Sequence, residues 1–303
     1  MSLSYRGHRP VLLADFSRMA PDQVSVYVDL TAGGGGHAEQ IARRYPAARL
    51  ILIDRDKEAV ARLREKFAGM ERVTVVHGRA GEVDKWLFLL KVRKADLIFA
   101  DLGVSSYQLD DPARGFGFKS DAPMDMRMDT TTGETALDLI KRLTEKELQD
   151  ILSSYGEERE SRTVARALKK AAAEGKRTVK EFRDAIAAAK RFRPARIDPA
   201  TQTLMALRIA VNDELGEVER MLERAYVSLA PDGVLGVISF HSLEDRLVKR
   251  FFVDRRGQVP LPKPFDDLPP RPVTVLKAVR PTEEEVLVNP RSRSAKMRVL
   301  VRN

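Results

Sequence analysis

The sequence predicts an α/β protein, a mostly parallel sheet covered by helices on both faces and split by an all-helical insertion. Three observations predict it. The first hundred residues alternate short apolar runs with stretches of helical spacing, the pattern of parallel strands buried on both sides. The next hundred or so carry helical periodicity and no strand candidate. Strand-like runs then return near the end of the chain.

Each element can be justified in order. "VYVDL" (26–30) is an apolar run ending in an acid, followed by four glycines and helical sequence from about His37. "RLILIDRD" (49–56) repeats the pattern, with "KEAVARLREKFA" behind it at helical spacing. "RVTVVHG" (72–78) and "ADLIFADLG" (95–103) supply third and fourth strands. From Tyr107 turn formers and methionines dominate, and then consecutive helices follow, one opened by the capping-box pair Thr144 and Glu147. "LAPDGVLGVISF" (229–240) begins a fifth strand, and "VTVLKAV" (273–279) with "AKMRVLVRN" (295–303) forms a closing pair. The proline-rich stretch 259–273 reads as a stiff connection. The expected division is 1–106 and 214–303 for the sheet domain and 107–213 for the helical insertion.

Composition narrows the chemistry. The 303 residues are 43% hydrophobic and 32% charged, with no cysteine. That excludes disulfides, thiolate metal sites, iron–sulfur clusters and cysteine nucleophiles. Four scattered histidines give little basis for a transition-metal site, so none is expected; His8 and His77 receive no role. No apolar stretch approaches membrane-spanning length, and the first residues lack a signal peptide's apolar segment, so a cytoplasmic location and no membrane partner are expected. Of the formal charge of +9, residues 159–196 hold 13 Lys and Arg against 4 acids. Such a basic run suggests a polyanion partner, or else a solvated helix surface.

The four glycines, Gly33 to Gly36, open a helix, and amides at a helix N-terminus suit an anionic group. Asp29, Asp54 and Asp101 end strands one, two and four, where open α/β sheets bind ligands. Asp54 follows Asp29 by 25 residues, near the spacing at which an acid accepts from ribose hydroxyls. Together they indicate an adenosine-containing cofactor. A carboxylate at the mouth of the glycine loop repels a pyrophosphate, whereas S-adenosylmethionine presents an ammonium and a sulfonium. Asp29 therefore favours the methyl donor over NAD.

Several strings resemble a known family. "HRPVLL" (8–13), "DLTAGGGGH" (29–37), "DLGVSSYQLDDPARGFGF" (101–118), "PMDMRMD" (123–129), "ATQTLMALRIAVNDEL" (200–215), "VISFHSLEDRLVKRFF" (237–252) and "RSRSAK" (291–296) are similar to the RsmH/MraW methyltransferases, nearly end to end. The resemblance implies a class I S-adenosylmethionine methyltransferase (Rossmann-like) sheet with an inserted all-helical RNA-recognition domain. It also implies methylation of cytosine N4 in the decoding region of 16S rRNA, with the small ribosomal subunit as partner. Cofactor contacts carry over onto Gly35, Gly36, His37, Asp54, Asp101 and Gln108, beside the cofactor-binding candidates Asp29 and Gly34. A further contact falls on Ala80, where the family commonly has an aromatic residue. Leu30 and Ala32 also depart from the family's usual "DGTFG".

Exocyclic nitrogen needs no cysteine, whereas methylation at cytosine C5 ordinarily does. The lone pair of N4 is delocalised into the ring, so an acceptor aimed at its hydrogens would return density to nitrogen. Asp101 is the candidate catalytic residue for that role, or is purely a cofactor-binding acid. Ser105, Ser106 and Tyr107 stand where amino-methyltransferases carry a substrate motif, with Tyr107 able to stack on a base. Asn212 and His241 are further substrate-binding candidates, each with a structural alternative as helix or strand-end residues. Met124, Met126 and Met128 form either an RNA-facing surface or interior packing. Acceptors other than N4, a protein substrate, a non-catalytic RNA-binding assembly protein and an NAD enzyme stay open, as does a homodimer. No DNA partner is expected.

Overall fold

The computed structural model describes residues 10–117, 121–191, 198–256 and 273–303. The proline-rich stretch 259–272, His8, Phe118, Arg193 and Arg196 lie outside the described residues. Seven strands form one sheet: β1 (Val26–Asp29), β2 (Arg49–Asp54), β3 (Val73–His77), β4 (Ala95–Asp101), β5 (Leu229–Ser239), β6 (Val273–Val275) and β7 (Lys296–Arg302). The strand order is β3-β2-β1-β4-β5-β7-β6. Strands β1 to β5 pair in parallel, and β7 runs antiparallel between β5 and β6.

Helices α1 (Leu13–Met19), α2 (Gly36–Arg44), α3 (Lys57–Lys66) and α4 (Val83–Leu89) belong to the first part of the sheet unit. Between β4 and β5 come α5 (Ser106–Asp110), α6 (Ala136–Arg142), α7 (Glu145–Gly156), α8 (Ser161–Ala173), α9 (Val179–Ala189), α10 (Thr201–Asn212) and α11 (Glu214–Ser228). The C-terminal part adds α12 (Ser242–Arg255) and α13 (Glu283–Val288).

Strand alternation explains why both faces of the sheet are covered. Tyr27, Leu50, Leu52, Leu97 and Phe99 face one core with Phe16 of α1, Ile41 of α2 and Leu63 of α3. Their neighbours Val28, Ile51, Ile53 and Ile98 face a second core with Leu87 of α4, Leu222 of α11 and Phe252 of α12. A buried leucine or phenylalanine contributes roughly 1.5–3 kcal/mol by leaving water. Two apolar faces therefore commit β1, β2 and β4 to the sheet interior.

The chain divides into two compact units, one running up to Gly103 and resuming at Leu215, the other from Val104 to Glu214. The breaks differ from those expected at 106 and 213 for local reasons. Ser105 is the N-cap of α5, its hydroxyl accepting from the Gln108 amide at 3.2 Å, so it cannot be parted from that helix. Glu214 is held in the helical unit by a two-pronged pair with Arg208 at 2.8 and 2.9 Å.

The helical unit has its own core, in which Leu148, Leu152, Val164, Leu168, Phe182, Ile186 and Leu207 are fully buried. Reciprocal capping boxes open α5, α6, α7 and α9; that of α7 is Thr144 with Glu147. Each such cap satisfies otherwise orphaned amides and contributes about 1 kcal/mol.

Candidate active site

The parallel pairing dictates where the strand-end acids lie. Asp29 is opposite Leu52 of β2 on one side and Phe99 of β4 on the other. Asp54 and Asp101 each stand two residues beyond those partners, so all three side chains share one face at the carboxyl edge. The chain leaves β1 toward β2 and leaves β4 toward β5, in opposite directions along the sheet. Asp29 and Asp101 flank that switch point, the crevice in which open sheets take ligands.

Asp29 is buried, with Oδ2 accepting from the Tyr27 hydroxyl at 3.0 Å and Oδ1 from the Thr31 amide at 3.2 Å. Burial pushes its carboxyl up to about 7, the Thr31 and Tyr27 hydrogen bonds working against that rise. Asp101 is raised well above the ordinary carboxylate range, first by burial, then by the charges of Asp29 and Glu244. Its Oδ1 is shielded from solvent and has no hydrogen-bond partner among the described residues. Its main-chain N–H donates to Thr31 Oγ1 at 2.7 Å.

Asp54 supports the glycine loop directly. Its Oδ2 accepts from the Gly33 amide at 2.7 Å and its Oδ1 from the Asp56 amide at 2.8 Å. One lone pair on each oxygen remains for hydroxyl donors. Burial raises this carboxyl too, opposed by the same two amides.

Protein packing accounts for part of the glycine run. Gly33 and Gly35 have φ of 51° and 70°, the left-handed region that favours glycine. A Cβ on Gly35 would meet Leu63 Cδ2 at 2.8 Å, and one on Gly36 would meet Pro10 Cγ at 2.3 Å. Lys66 Nζ, on α3, takes the Gly34 and Gly35 carbonyls at 3.2 and 3.1 Å and pairs with Glu39 of α2 at 2.8 Å. With those carbonyls turned toward Lys66, the trans peptides point the next amides the other way. The Gly35 amide bonds Ala32 O at 2.7 Å. Gly36, first residue of α2, presents an amide with no intrahelical acceptor.

Other expected residues hold different positions. The His37 ring is buried against Phe16 and Phe99, at centroid distances of 5.1 and 4.6 Å, with Nε2 3.0 Å from Val11 O. Its main chain lies in the first turn of α2, directly after the glycine loop. Ala80 is buried in the second core and begins the short turn Ala80–Glu82. His241 caps α12: Nδ1 accepts from the Glu244 amide at 3.4 Å, and Glu244 Oε2 accepts from the Phe240 amide at 2.9 Å. That is a structural use of His241, at the carboxyl end of β5.

In the helical unit, Gln108 Oε1 accepts from the Ser105 amide at 2.9 Å, so both residues serve the cap of α5. Ser106 is the first residue of that helix, and Tyr107 is exposed. Asn212 acts as a bracket within this unit: Oδ1 accepts from the Met128 amide, and Nδ2 donates to Met126 O and Arg208 O, at 2.7, 2.7 and 2.9 Å. Met124, Met126 and Met128 are all buried in the helical core, which sets aside an RNA-facing surface. His77 Nε2 lies 3.1 Å from Arg55 O.

Tyr27, Thr31 and Lys66 were not singled out from the sequence. Tyr27 had a local signal, sharing Asp29's face two residues away, and so did Thr31, two residues after Asp29 where an Asx turn places an amide on a carboxylate. Lys66 had none, because its contact spans 31 and 32 residues.

Among known proteins, a family model described as the MraW methylase family matches residues 5–303. The chain belongs to that family. One relative, named ribosomal RNA small subunit methyltransferase H, from Sorangium cellulosum, is 49% identical over 285 residues, covering 92% of this chain and 85% of the relative. A relative of the same name from Paramagnetospirillum magneticum is 44% identical over 317 residues, covering 99% and 97%. A crystal structure of an rRNA methylase from Streptococcus thermophilus is 11% identical with a TM-score of 0.44, over 95% of this chain and 92% of that one. No helix among the described residues is long and apolar enough to cross a membrane.

Proposed function

We propose that this MraW-family chain transfers a methyl group from S-adenosylmethionine to N4 of a cytosine in 16S rRNA. The observation that carries the reading is Asp101 Oδ1, a buried carboxyl oxygen at the switch point of the sheet with no hydrogen-bond partner among the described residues. A buried acceptor without a donor costs free energy unless a ligand supplies one. Relatives named for small-subunit rRNA methylation give the acceptor its class.

The residues present suit this cofactor. Asp29 supplies negative charge for the cationic end, the Gly36 amide suits a carboxylate, and the free lone pairs of Asp54 suit ribose hydroxyls. Ala80 brings no ring to the adenine, so adenine packing there rests on small apolar surface. Bound S-adenosylmethionine would supply an already activated methyl group. Alignment of the nucleophile then provides much of the rate.

Burial, and then the charges of Asp29 and Glu244, raise the Asp101 carboxyl well above the ordinary carboxylate range. A positive charge nearby works against that rise and favours Oδ1 as an acceptor for the N4 hydrogens. S-adenosylmethionine bound here would supply the methyl group for the new bond to N4. N4 then sheds a proton, which Asp101 takes. The target base must leave its stack to reach such a crevice. We assign the helical unit to RNA recognition.

The test is incubation with labelled S-adenosylmethionine and either purified small subunits or free 16S rRNA, followed by nucleoside mass analysis. Label in N4-methylcytidine is expected. Label in another nucleoside, in ribosomal protein, or nowhere would overturn the assignment.

A further inference from the structure

The positive charge of this chain does not reside where its basic run suggests. Residues 104–214 contain 20 Lys and Arg against 19 Asp and Glu, while the rest of the chain contains 33 against 25. The helical unit is therefore close to neutral, and the sheet unit carries nearly all of the excess. Several cations of the basic run are engaged within their own unit. Arg166 pairs with Glu145 at 3.5 Å, Arg183 with Asp198 at 2.8 Å, and buried Lys190 with Glu158. Lys169 takes three carbonyls, of Ile140, Lys141 and Leu143, at the end of α6.

In the sheet unit, the antiparallel pairing sets Lys296 opposite Ser239. The start of β7, and the short turn Pro290–Ser294 before it, thus lie at the carboxyl edge of β5, beside the first turn of α12. Asp245 of α12 binds both Lys296 and Arg298, at 2.5 and 2.6 Å, which neutralises that acid and draws α12 onto β7. Arg246, next along α12, and Arg293, in the short turn, are exposed and have no ion pair among the described residues. Both arginines belong to elements that border the carboxyl edge of β5, and exposed guanidinium groups without an acid suit phosphate, to which arginine binds through paired N–H donors.

We propose that Arg246 and Arg293 form a phosphate-binding rim on the sheet unit. The rim takes the RNA backbone beside the target base, so that gripping the RNA is not left to the helical unit. This inference rests on the reading of the chain as an RNA methyltransferase.

Its test is the salt dependence of binding to a 16S rRNA transcript by wild type, R246A/R293A, R246K/R293K and R159A/R162A. Removing one arginine–phosphate pair lowers the slope of log K against log salt by about 0.7 to 0.9. The R246A/R293A protein is expected to lose roughly 1.5 from the slope and about tenfold in affinity at low salt. The melting temperature and S-adenosylmethionine affinity are expected to stay unchanged, and the lysine variant to recover most of the slope. An R246A/R293A slope equal to wild type would overturn the rim, as would a reduced slope confined to R159A/R162A in the helical unit. Absence of salt-dependent RNA binding in the wild type would instead defeat the underlying reading.

Discussion

Thr31 Oγ1 accepts from the Asp101 amide at 2.7 Å, while the Thr31 amide donates to Asp29 Oδ1 at 3.2 Å. One residue thus fixes both acids that flank the switch point. Thr31→Val keeps the shape and removes the acceptor, leaving the Asp101 amide without its partner. We expect stability to fall by about 1–3 kcal/mol and methyl transfer at saturating cofactor to fall at least tenfold. Thr31→Ser should restore both, as read by thermal unfolding and single-turnover rates. Wild-type transfer by the valine variant would show that the link is unimportant.

Lys66 holds the glycine-loop carbonyls and so directs the Gly36 amide outward. Lys66→Met should weaken S-adenosylmethionine and S-adenosylhomocysteine by the same factor, about tenfold, equal to about 1.4 kcal/mol. Methylthioadenosine, which lacks the amino-acid carboxylate, should bind as before. Equal weakening of all three in calorimetry would refute a role specific to the carboxylate.

Asp29 gives the pH dependence. Its folded-state carboxyl sits at about 7, above the ordinary value of 3.8. The native state therefore holds the proton more tightly, and stability declines as pH rises from about 4 to about 7, levelling above that. Affinity for a cationic ligand runs the opposite way, improving up to tenfold per pH unit below about 7 as the carboxylate ionises. Asp101, also raised, adds to the same trend. Asp29→Asn should flatten the low-pH limb of the affinity profile and raise the melting temperature near pH 8. A profile identical to wild type would assign the dependence to another group.

Asn212 fixes the Met126–Met128 segment to α10 through buried hydrogen bonds. Asn212→Ala should cost about 2–4 kcal/mol in unfolding experiments, since a buried amide and a buried carbonyl lose their partners. A change below about 0.5 kcal/mol would mean that water replaces the side chain.

Particular residues show what the sequence can and cannot reveal. The strand-end acids were legible because period-two alternation places Asp29, Asp54 and Asp101 at run ends, and parallel pairing then aligns those ends. The Thr144 and Glu147 cap was legible because its chemistry is local. Charge compensation was not, since Arg166 and Arg183 meet Glu145 and Asp198, acids outside the basic run. Nor were the burial of the His37 ring or the engagement of Asn212, because both depend on partners brought close only by packing. The glycines were legible as a constraint but not in its cause, part of which is packing against Pro10, Leu63 and Phe67.

The cofactor itself offers the most direct measurement. Calorimetric titration of the purified chain with S-adenosylmethionine and with NAD should show saturable one-to-one binding of the methyl donor and none of the dinucleotide. Binding of NAD, or no heat with the methyl donor at any pH above 7, would contradict the assignment of Asp29 and Asp101 to a cationic ligand.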